Sequence, residues 1–219
     1  MENKQSNNQV GIYDNNYNHF LFDSVPSNSI CLDIGCWTGN LGEKLIKSKS
    51  CIVDGIDTNK KALSTAKKRG YRNVYQINLN EEKKVEKFSK RHSKYDVIIL
   101  GDVLEHLVKP SLTLKYIKDA LFAKGIIIIS VPNIAFILQR VLLVLGKFDY
   151  NPKGGIMDET HLRFFTKESI EKMATKCNYN IVNSEGYNLV KDRYFFLRFL
   201  CKFAPQLFSL QFLLILRKR

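Results

Sequence analysis

The stretch SICLDIGCWTGN at residues 29–40 decides the fold of this chain. Its first half is a short apolar run that ends in Asp33, which is typical of a strand buried in a parallel sheet. Gly35 and Gly39 follow within a loop, where they allow a tight turn and a close approach of a ligand to the backbone. The residues after Gly39 have the spacing of a helix. A strand, a glycine-containing loop and a helix in this order predict the first unit of an α/β fold.

Strand and helix patterns then alternate along the chain. The runs CIVDGID, NVYQINL, YDVIILGD and GIIIISVP have the apolar character of buried strands, and the segments between them are helical or highly charged. We expect Thr58 to cap the helix after the second strand, and PSLTLKYIKDALFAKG at 110–125 to be a helix closed by Gly125. The alternation predicts a mostly parallel sheet covered by helices on both sides.

The two ends of the chain differ from this middle part. Residues 1–20 are rich in Asn, and we expect a flexible arm before a single domain at 21–219. After the fifth strand, an irregular apolar insertion at 133–165 is expected to form a small lid. The alternation then resumes with helix TKESIEKMATKC, strand YNIVNSE, a helical segment at 192–204 and the terminal strand QFLLILRK.

Composition restricts the functional classes. The 219 residues include 34 Lys and Arg against 21 Asp and Glu, which gives a net charge of +13. Such a surplus favours a polyanionic partner, or reflects the base composition of the genome. Five cysteines without C-x-x-C spacing argue against a metal cluster or disulfide framework and indicate a reducing, cytoplasmic compartment. The polar start MENKQSNNQV is unlike a secretory signal, and no apolar run reaches the 18 residues of a spanning helix.

The loop after the first strand does not fit a phosphate-binding site. A dinucleotide fingerprint would need glycine at positions 35, 37 and 40, but the chain has Trp37 and Asn40. Four carboxylates fall at or just beyond predicted strand ends: Asp33, Asp57, Asp102 and Glu105. Such a rim repels a pyrophosphate and attracts a ligand with an ammonium and a sulfonium. S-adenosylmethionine (SAM) carries both groups and has no phosphate.

Four motifs resemble those of the class I SAM-dependent methyltransferases. CLDIGCWTGN is similar to their first motif, VDGID to the acidic second, QINLNE to the third and YDVIILGDVLEHLVKP to the fourth. The resemblance covers residues 29–219 and implies a doubly wound, mostly parallel, seven-stranded Rossmann-like sheet with an antiparallel C-terminal strand. The stretch DETHLRFFT resembles a branch often associated with sugar and surface-glycan pathways.

The resemblance also implies which residues hold SAM. Asp33 would lie along the methionine part, and Asp57 would accept hydrogen bonds from both ribose hydroxyls. Asn78 and Leu79 would border the adenine, and Asp102 would face the methyl-donating end. The implied cofactor-binding residues are Asp33, Gly35, Cys36, Trp37, Gly39, Asp57, Thr58, Asn78, Leu79, Gly101 and Asp102.

Two positions depart from the family pattern. Trp37 replaces the glycine common in the middle of the first loop, so we expect the backbone there to avoid a positive φ. Asn78 stands where Asp is frequent, and its amide oxygen can still accept from the adenine amino group. The structural alternatives are that Asp33 is a helix cap and that Asp57 stabilises a helix dipole.

The chemistry of methyl transfer suggests the catalytic candidates. Holding nucleophile, methyl group and sulfur in line can contribute roughly 7–11 kcal/mol, and a general base would accelerate attack by an alcohol by about 10²–10⁴-fold. His161 is a base or substrate contact, or it anchors the insertion with Asp158 or Glu159. His106 lines the site beside Glu105, or is a structural hydrogen-bonding residue. The catalytic candidates are His161, His106 and Glu105, and no metal is predicted because no His pair has i, i+4 spacing.

Two apolar segments have alternative interpretations. Residues 134–145 form either a buried lid helix, or a groove for a lipid tail or a patch that faces a membrane. Residues 192–204 interleave aromatic and basic side chains, which predicts an amphipathic helix packed on the sheet or a contact with anionic lipid.

The leading hypothesis is a SAM-dependent O-methyltransferase of a small or lipid-linked acceptor, such as a sugar or glycan precursor. The predicted location is cytoplasmic, with peripheral contact at the inner membrane face as an alternative. An RNA methyltransferase is a second hypothesis, motivated by the charge, although the chain lacks an NPPY-like motif after the fourth strand. A SAM-binding regulatory protein without turnover is the third. The sequence leaves the oligomeric state open.

Overall fold

Seven strands form one mixed sheet in the computed structural model, which describes residues 17–92, 94–188 and 203–219. In chain order these strands are β1 (Ile30–Ile34), β2 (Ile52–Asp57), β3 (Asn73–Gln76), β4 (Tyr95–Gly101), β5 (Leu121–Pro132), β6 (Tyr179–Tyr187) and β7 (Gln211–Lys218). Across the sheet the order is β3-β2-β1-β4-β5-β7-β6, and β7 runs antiparallel to both of its neighbours. The other described pairs are parallel. The predicted doubly wound sheet with an antiparallel C-terminal strand is confirmed.

Helices lie on both faces of this sheet. The described helices are α1 (His19–Ser24), α2 (Asn40–Lys49), α3 (Lys60–Lys68), α4 (Glu82–Arg91), α5 (Pro110–Ile117), α6 (Ile137–Val144), α7 (Lys167–Lys176) and α8 (Pro205–Phe208). Side chains of α1, α2 and α3 join the apolar core on one face, and those of α4, α5 and α7 join the core on the other. In β4, Ile98 points into one core and Ile99 into the other. This burial on both faces explains the uninterrupted apolar runs of the strands.

The helix predicted at 110–125 is shorter than expected. α5 ends at Ile117, a single 3-10 turn follows, and β5 begins at Leu121. Leu121 pairs with Tyr95 at the start of β4, before a shift in register. Gly125 therefore lies inside a strand and does not close a helix. A Cβ at Gly125 would come within 2.9 Å of the Tyr95 carbonyl oxygen, so glycine allows the two strands to approach there.

The prediction that Thr58 caps α3 is also wrong. Asn59 is the cap, and its side-chain oxygen accepts hydrogen bonds from the backbone N–H groups of Lys61 and Ala62. Because β2 continues to Asp57, Thr58 is needed as the connection between strand and cap. Asn is among the best capping residues, so the helix begins one residue later at little cost.

The first described residues belong to the folded domain. Asn18 is 3% exposed, caps α1, and donates from its side chain to the Tyr187 hydroxyl at 2.8 Å. A Cβ on Gly101 would lie 2.6 Å from the Leu21 side chain. α1 thus covers the carboxyl end of β4. Of the arm expected at 1–20, residues 1–16 lie outside the described residues.

The apolar insertion contains α6, and the surface of α6 is exposed. None of the α6 side chains is buried, and Leu143, Val144 and the following Leu145 are 59%, 87% and 65% exposed. The interpretation of residues 134–145 as a buried lid helix is therefore wrong in the described structure. The helical segment expected at 192–204 falls mostly outside the described residues. Among the residues described, no helix has the length and apolarity needed to cross a membrane.

Candidate active site

The loop between β1 and α2 turns through three residues with left-handed backbone angles. The φ values are +74° at Gly35, +48° at Trp37 and +82° at Gly39. The expectation that Trp37 avoids a positive φ is wrong, and a side chain in this region costs roughly 1–2 kcal/mol. The backbone N–H of Trp37 donates to Asp57 Oδ2 at 2.9 Å. This hydrogen bond offsets part of the strain and holds the loop against the end of β2.

Tyr71 packs under this loop and holds Asp33. The Tyr71 hydroxyl donates to Asp33 Oδ2 at 2.6 Å and accepts from the Gly42 N–H at 3.1 Å. Burial raises the pKa of Asp33 to about 7, although the Tyr71 hydrogen bond lowers it, and the charge of Asp57 raises it further. Asp33 is therefore divided between its two protonation states near neutral pH. A ligand ammonium would favour the charged state.

Asp57 lies at the carboxyl end of β2, next to this loop. Its Oδ2 accepts from the Trp37 N–H at 2.9 Å and its Oδ1 from the Asn59 N–H at 2.8 Å. A carboxylate oxygen has two lone pairs, so each oxygen keeps one for a further donor. Two neighbouring hydroxyls, as in a ribose, fit this arrangement. Thr58, the next residue, is exposed.

Cys36 belongs to the same loop but has a packing role. It is 7% exposed, and its sulfur would lie 2.7 Å from a Cβ on Gly55. Burial and the nearby carboxylates of Asp33 and Asp57 raise the pKa of Cys36. The protonated thiol is a poor nucleophile.

Asn78 and Leu79 follow β3 at the same edge of the sheet. Asn78 is exposed, and its Oδ1 accepts from the Asn80 N–H at 3.0 Å. One lone pair of that oxygen is used in this local turn, which leaves the other for an adenine amino group. Leu79 packs against the core and lines a cavity of about 180 Å³ between α4 and α5.

Asp102 follows β4 with a left-handed φ of +52°. The backbone N–H of Asp102 donates to two oxygens of Ser130, the carbonyl oxygen at 3.2 Å and the hydroxyl oxygen at 3.1 Å. Its carboxylate accepts from the Ser130 hydroxyl at 2.8 Å and from the Gln211 amide at 3.1 Å. Ser130 lies on β5 and Gln211 on β7. Neighbouring strands therefore hold the Asp102 carboxylate at the edge where β4 ends.

The structure brings the three catalytic candidates together beyond β4. A carboxylate oxygen of Glu105 and one ring nitrogen each of His106 and His161 lie within 4.8 Å of one another. Glu105 is 0% exposed, and neither carboxylate oxygen has a hydrogen-bond partner among the described residues. Burial raises the pKa of Glu105 well above its ordinary value, and the charges of Asp102 and Asp158 add to this. Glu105, His106 and His161 are called the carboxylate–histidine cluster below.

The backbone of the insertion orients both imidazoles. Nδ1 of His161 lies 3.1 Å from the Ile156 carbonyl oxygen, and Nδ1 of His106 lies 3.3 Å from the Thr160 carbonyl oxygen. The Thr160 hydroxyl oxygen also lies 3.1 Å from Nδ1 of His106 and donates its own proton to Asp158. These oxygens accept from the rings, so Nδ1 carries the proton, and in the neutral imidazoles Nε2 carries the lone pair. The sequence suggested that His161 anchors the insertion through Asp158 or Glu159, but its hydrogen-bond partner is the Ile156 carbonyl oxygen. Asp158 instead accepts two hydrogen bonds from Thr160.

Backbone hydrogen bonds dock the insertion on the turn after β4. The Glu105 carbonyl oxygen accepts from the N–H groups of Leu162 at 2.8 Å and Arg163 at 2.9 Å. The Arg163 guanidinium donates to the Val108 carbonyl oxygen at 2.6 Å. The sequence HLRF therefore places His161 beside the end of β4, although it lies far along the chain.

The groups at this edge fit SAM. Asp33 and Asp57 can receive an ammonium and two ribose hydroxyls, and the glycine turn leaves room for close approach. A Cβ on Gly35 would lie 2.6 Å from the Val103 side chain, so the loop holds its shape only with glycine there. When bound, SAM supplies an electrophilic methyl group.

A family model described as a methyltransferase domain matches residues 13–184. The chain belongs to this family of SAM-dependent methyltransferases. The family expected from the sequence, a family of enzymes that use SAM, is thereby confirmed.

Relatives with similar sequences are named O-methyltransferases. The chain is 32% identical over 153 residues to the ubiquinone biosynthesis O-methyltransferase of Glaesserella parasuis. The aligned region covers 64% of this chain and 64% of that one. It is 36% identical over 103 residues to the malonyl-[acyl-carrier protein] O-methyltransferase of Halalkalibacterium halodurans, covering 45% of this chain and 37% of that one. The chain thus spans less than two thirds of the length of these relatives.

Solved structures share the fold at low identity. The SAM-dependent methyltransferase of Mesorhizobium loti matches with a TM-score of 0.64 at 13% identity, covering 91% of this chain and 96% of that chain. A SAM-dependent methyltransferase from Archaeoglobus fulgidus matches with a TM-score of 0.61 at 17% identity, covering 91% of this chain and 89% of that chain. At these identities the match establishes the fold alone.

Sequence reasoning missed three supporting residues. These are Tyr71, which holds Asp33, and Ser130 and Gln211, which hold Asp102. Ser130 and Gln211 are polar residues within or at the start of the apolar runs GIIIISVP and QFLLILRK, which is a signal that could have found them. Tyr71 has no such signal.

Replacement of Asp57 should weaken SAM binding. The Asp57→Ala variant loses the acceptor for the ribose hydroxyls, and we expect the dissociation constant to rise roughly 10- to 150-fold. Calorimetry measures this directly, and Trp37, the single tryptophan of the chain and 53% exposed, gives a fluorescence readout. Asp149→Ala, at an exposed site on the insertion, is the matched control. Equal affinity in the Asp57 variant and the parent would remove Asp57 from the site.

Asp33 should make stability depend on pH. Its pKa is about 7 in the folded chain, against an ordinary value of 3.8, because it is buried. The stability that protonated Asp33 contributes is complete below about pH 4 and is lost as the pH rises through about 7, at about 1.4 kcal/mol per pH unit between these values. Asp33→Asn should therefore lose less free energy of unfolding than the parent between about pH 5 and about pH 8. Urea denaturation at these pH values measures the free energy of unfolding of the parent and the variant. If this free energy changes equally with pH in both proteins, Asp33 is not a buried ionisable group.

Proposed function

We propose that the protein transfers a methyl group from SAM to an oxygen of a small or lipid-linked acceptor. The observation that carries this proposal is the carboxylate–histidine cluster, which lies just beyond Asp102 at the edge of the sheet. The relatives with similar sequences, named O-methyltransferases, support an oxygen acceptor.

His161 is the group that accepts the hydroxyl proton in this proposal. Its Nδ1–H donates to the Ile156 carbonyl oxygen, so the lone pair is on Nε2. His161 is 8% exposed, which limits competition from water for that lone pair. The insertion fixes the ring through its own backbone, so the base is held in one tautomer and one orientation before the acceptor arrives.

The exposed surface of α6 indicates the kind of acceptor. Large apolar side chains face outward along the helix and beyond it, at Leu138, Val141, Leu143, Val144, Leu145, Phe148 and Tyr150. Exposed apolar clusters of this kind are typical of binding sites for apolar groups. Among acceptors of the predicted classes, a glycan precursor or other small molecule with a lipid tail fits this surface. The tail would lie along α6, at a membrane surface or in solution, and the hydroxyl would reach the cluster.

Loss of the His161 imidazole should lower turnover without weakening SAM binding. We expect His161→Ala to reduce release of S-adenosylhomocysteine by about 10²-fold or more, with the SAM dissociation constant unchanged. The assay uses a panel of hydroxyl acceptors with and without lipid tails. His92→Ala is the control, because the His92 ring stacks on Phe88 on α4, outside the cluster. Wild-type turnover in the His161 variant would exclude it as the base.

Polar substitutions on α6 should affect lipid-linked acceptors selectively. In the Leu143→Ser, Val144→Ser double variant, both sites are exposed, so the free energy of unfolding should change by less than about 0.5 kcal/mol. The KM for a tailed acceptor should rise, while the KM for the same acceptor without its tail should stay constant. If both KM values are unchanged, α6 does not contact the acceptor. If the parent methylates acceptors without tails but no tailed acceptor of the panel, the lipid-linked class is wrong.

A further inference from the structure

The carboxylate–histidine cluster has the dimensions of a cation site. Its three ligand atoms lie within 4.8 Å of one another. An ion equidistant from three atoms 4.8 Å apart would lie about 2.8 Å from each. Bonds to zinc in proteins are about 2.0–2.2 Å long, so each ligand would need to approach by about 0.7 Å. The three side chains would have to rotate to bring their ligand atoms to this distance.

Glu105 provides a second, independent observation. It is 0% exposed, and both of its carboxylate oxygens are without hydrogen-bond partners among the residues that the structure describes. A buried carboxylate without a partner is strongly unfavourable, and proteins satisfy such groups with a cation, a metal or a proton.

The two histidines have the outer contacts typical of metal ligands. A metal-bound His usually donates its other ring N–H to a carbonyl or carboxylate, which fixes the ring. Nδ1 of His161 faces the Ile156 carbonyl oxygen, and Nδ1 of His106 faces the hydroxyl and carbonyl oxygens of Thr160. The Nε2 lone pair of each ring is left for a further ligand. Sequence spacing gave no sign of this pair, because the two residues meet only through tertiary structure.

The local charge also favours a cation. The carboxylates of Asp102 and Asp158 act electrostatically on Glu105, and both act on His161. Among the described residues, the carboxylates of Asp102 and Asp158 therefore add negative charge around Glu105 and the two imidazoles. Such a field attracts a divalent ion and repels an anionic ligand.

We propose that Glu105, His106 and His161 bind one divalent cation of the kind that prefers imidazole with carboxylate, such as Zn²⁺, Co²⁺ or Mn²⁺. Two histidines and one glutamate form the ligand set of several catalytic zinc sites, which keep a further position open. The role of the ion rests on the proposed function, in which His161 is the base while the site is empty. With the ion bound, His161 would act as a ligand, and the open position would receive the acceptor oxygen, so that the ion orients and activates the hydroxyl in its place.

The test is metal binding by the full chain, purified without a histidine tag and freed of metal by chelation. Calorimetry with Zn²⁺, and with Co²⁺ and Mn²⁺ in parallel, should give one ion per chain in the absence of SAM and acceptor. Bound Co²⁺ should also give a visible absorption band that reports nitrogen and oxygen ligands. Glu105→Gln and His161→Gln should each weaken binding at least ~10-fold. His92→Gln is the matched control and should bind like the parent.

Two results would overturn the proposal. One is the absence of stoichiometric binding for all three ions. The other is equal affinity in the parent and in both cluster variants while far-UV circular dichroism shows all of them folded, which would place any bound ion elsewhere. Because no SAM or acceptor is used, failure of this test leaves the methyltransferase assay unaffected. Conversely, if the chain binds metal but transfers no methyl group, the proposed function is refuted and the proposed cation site still stands.

Discussion

The parallel pairing of β1 with β2 and β4 is the constraint on which the rest of the molecule depends. Ile34 pairs with Ile56 on one side and Leu100 on the other, so the three strands end at the same level. Their ends carry Asp33, Asp57 and Asp102, which meet at one edge for this reason alone. Parallel strands need crossover helices, and those helices cover both faces, so the edge is the natural opening for a ligand.

Concentrating carboxylates at one edge is costly, and the surrounding structure compensates for it. Tyr71 donates to Asp33, the backbone N–H of Trp37 donates to Asp57, and Ser130 donates to Asp102. Trp37 and Asp102 have left-handed backbone angles, so the hydrogen bonds also hold strained turns in place. A cationic, hydroxyl-bearing ligand would relieve the remaining repulsion, which links the stability of the edge to its function.

The acceptor side is built differently, by docking a distant segment. The Glu105 carbonyl oxygen accepts two backbone hydrogen bonds from the insertion, and this contact carries His161 to the end of β4. The same insertion presents α6 outward with its apolar side chains exposed. One segment therefore contributes both a polar group to the site and an apolar surface beside it. This division suits an acceptor with one reactive oxygen and an apolar remainder.

The sequence determined the order of elements, the family and the positions of Asp33, Asp57 and Asp102, because periodicity and strand-end motifs are local properties. It failed where local signals compete. The helix before β5 ends early because Leu121 pairs with Tyr95, and α6 lies exposed although its composition suits burial.

Only tertiary structure decided the left-handed turn at Trp37 and the meeting of Glu105, His106 and His161. Both depend on hydrogen bonds between segments remote in the chain, and no periodicity or spacing in one segment encodes a partner in another.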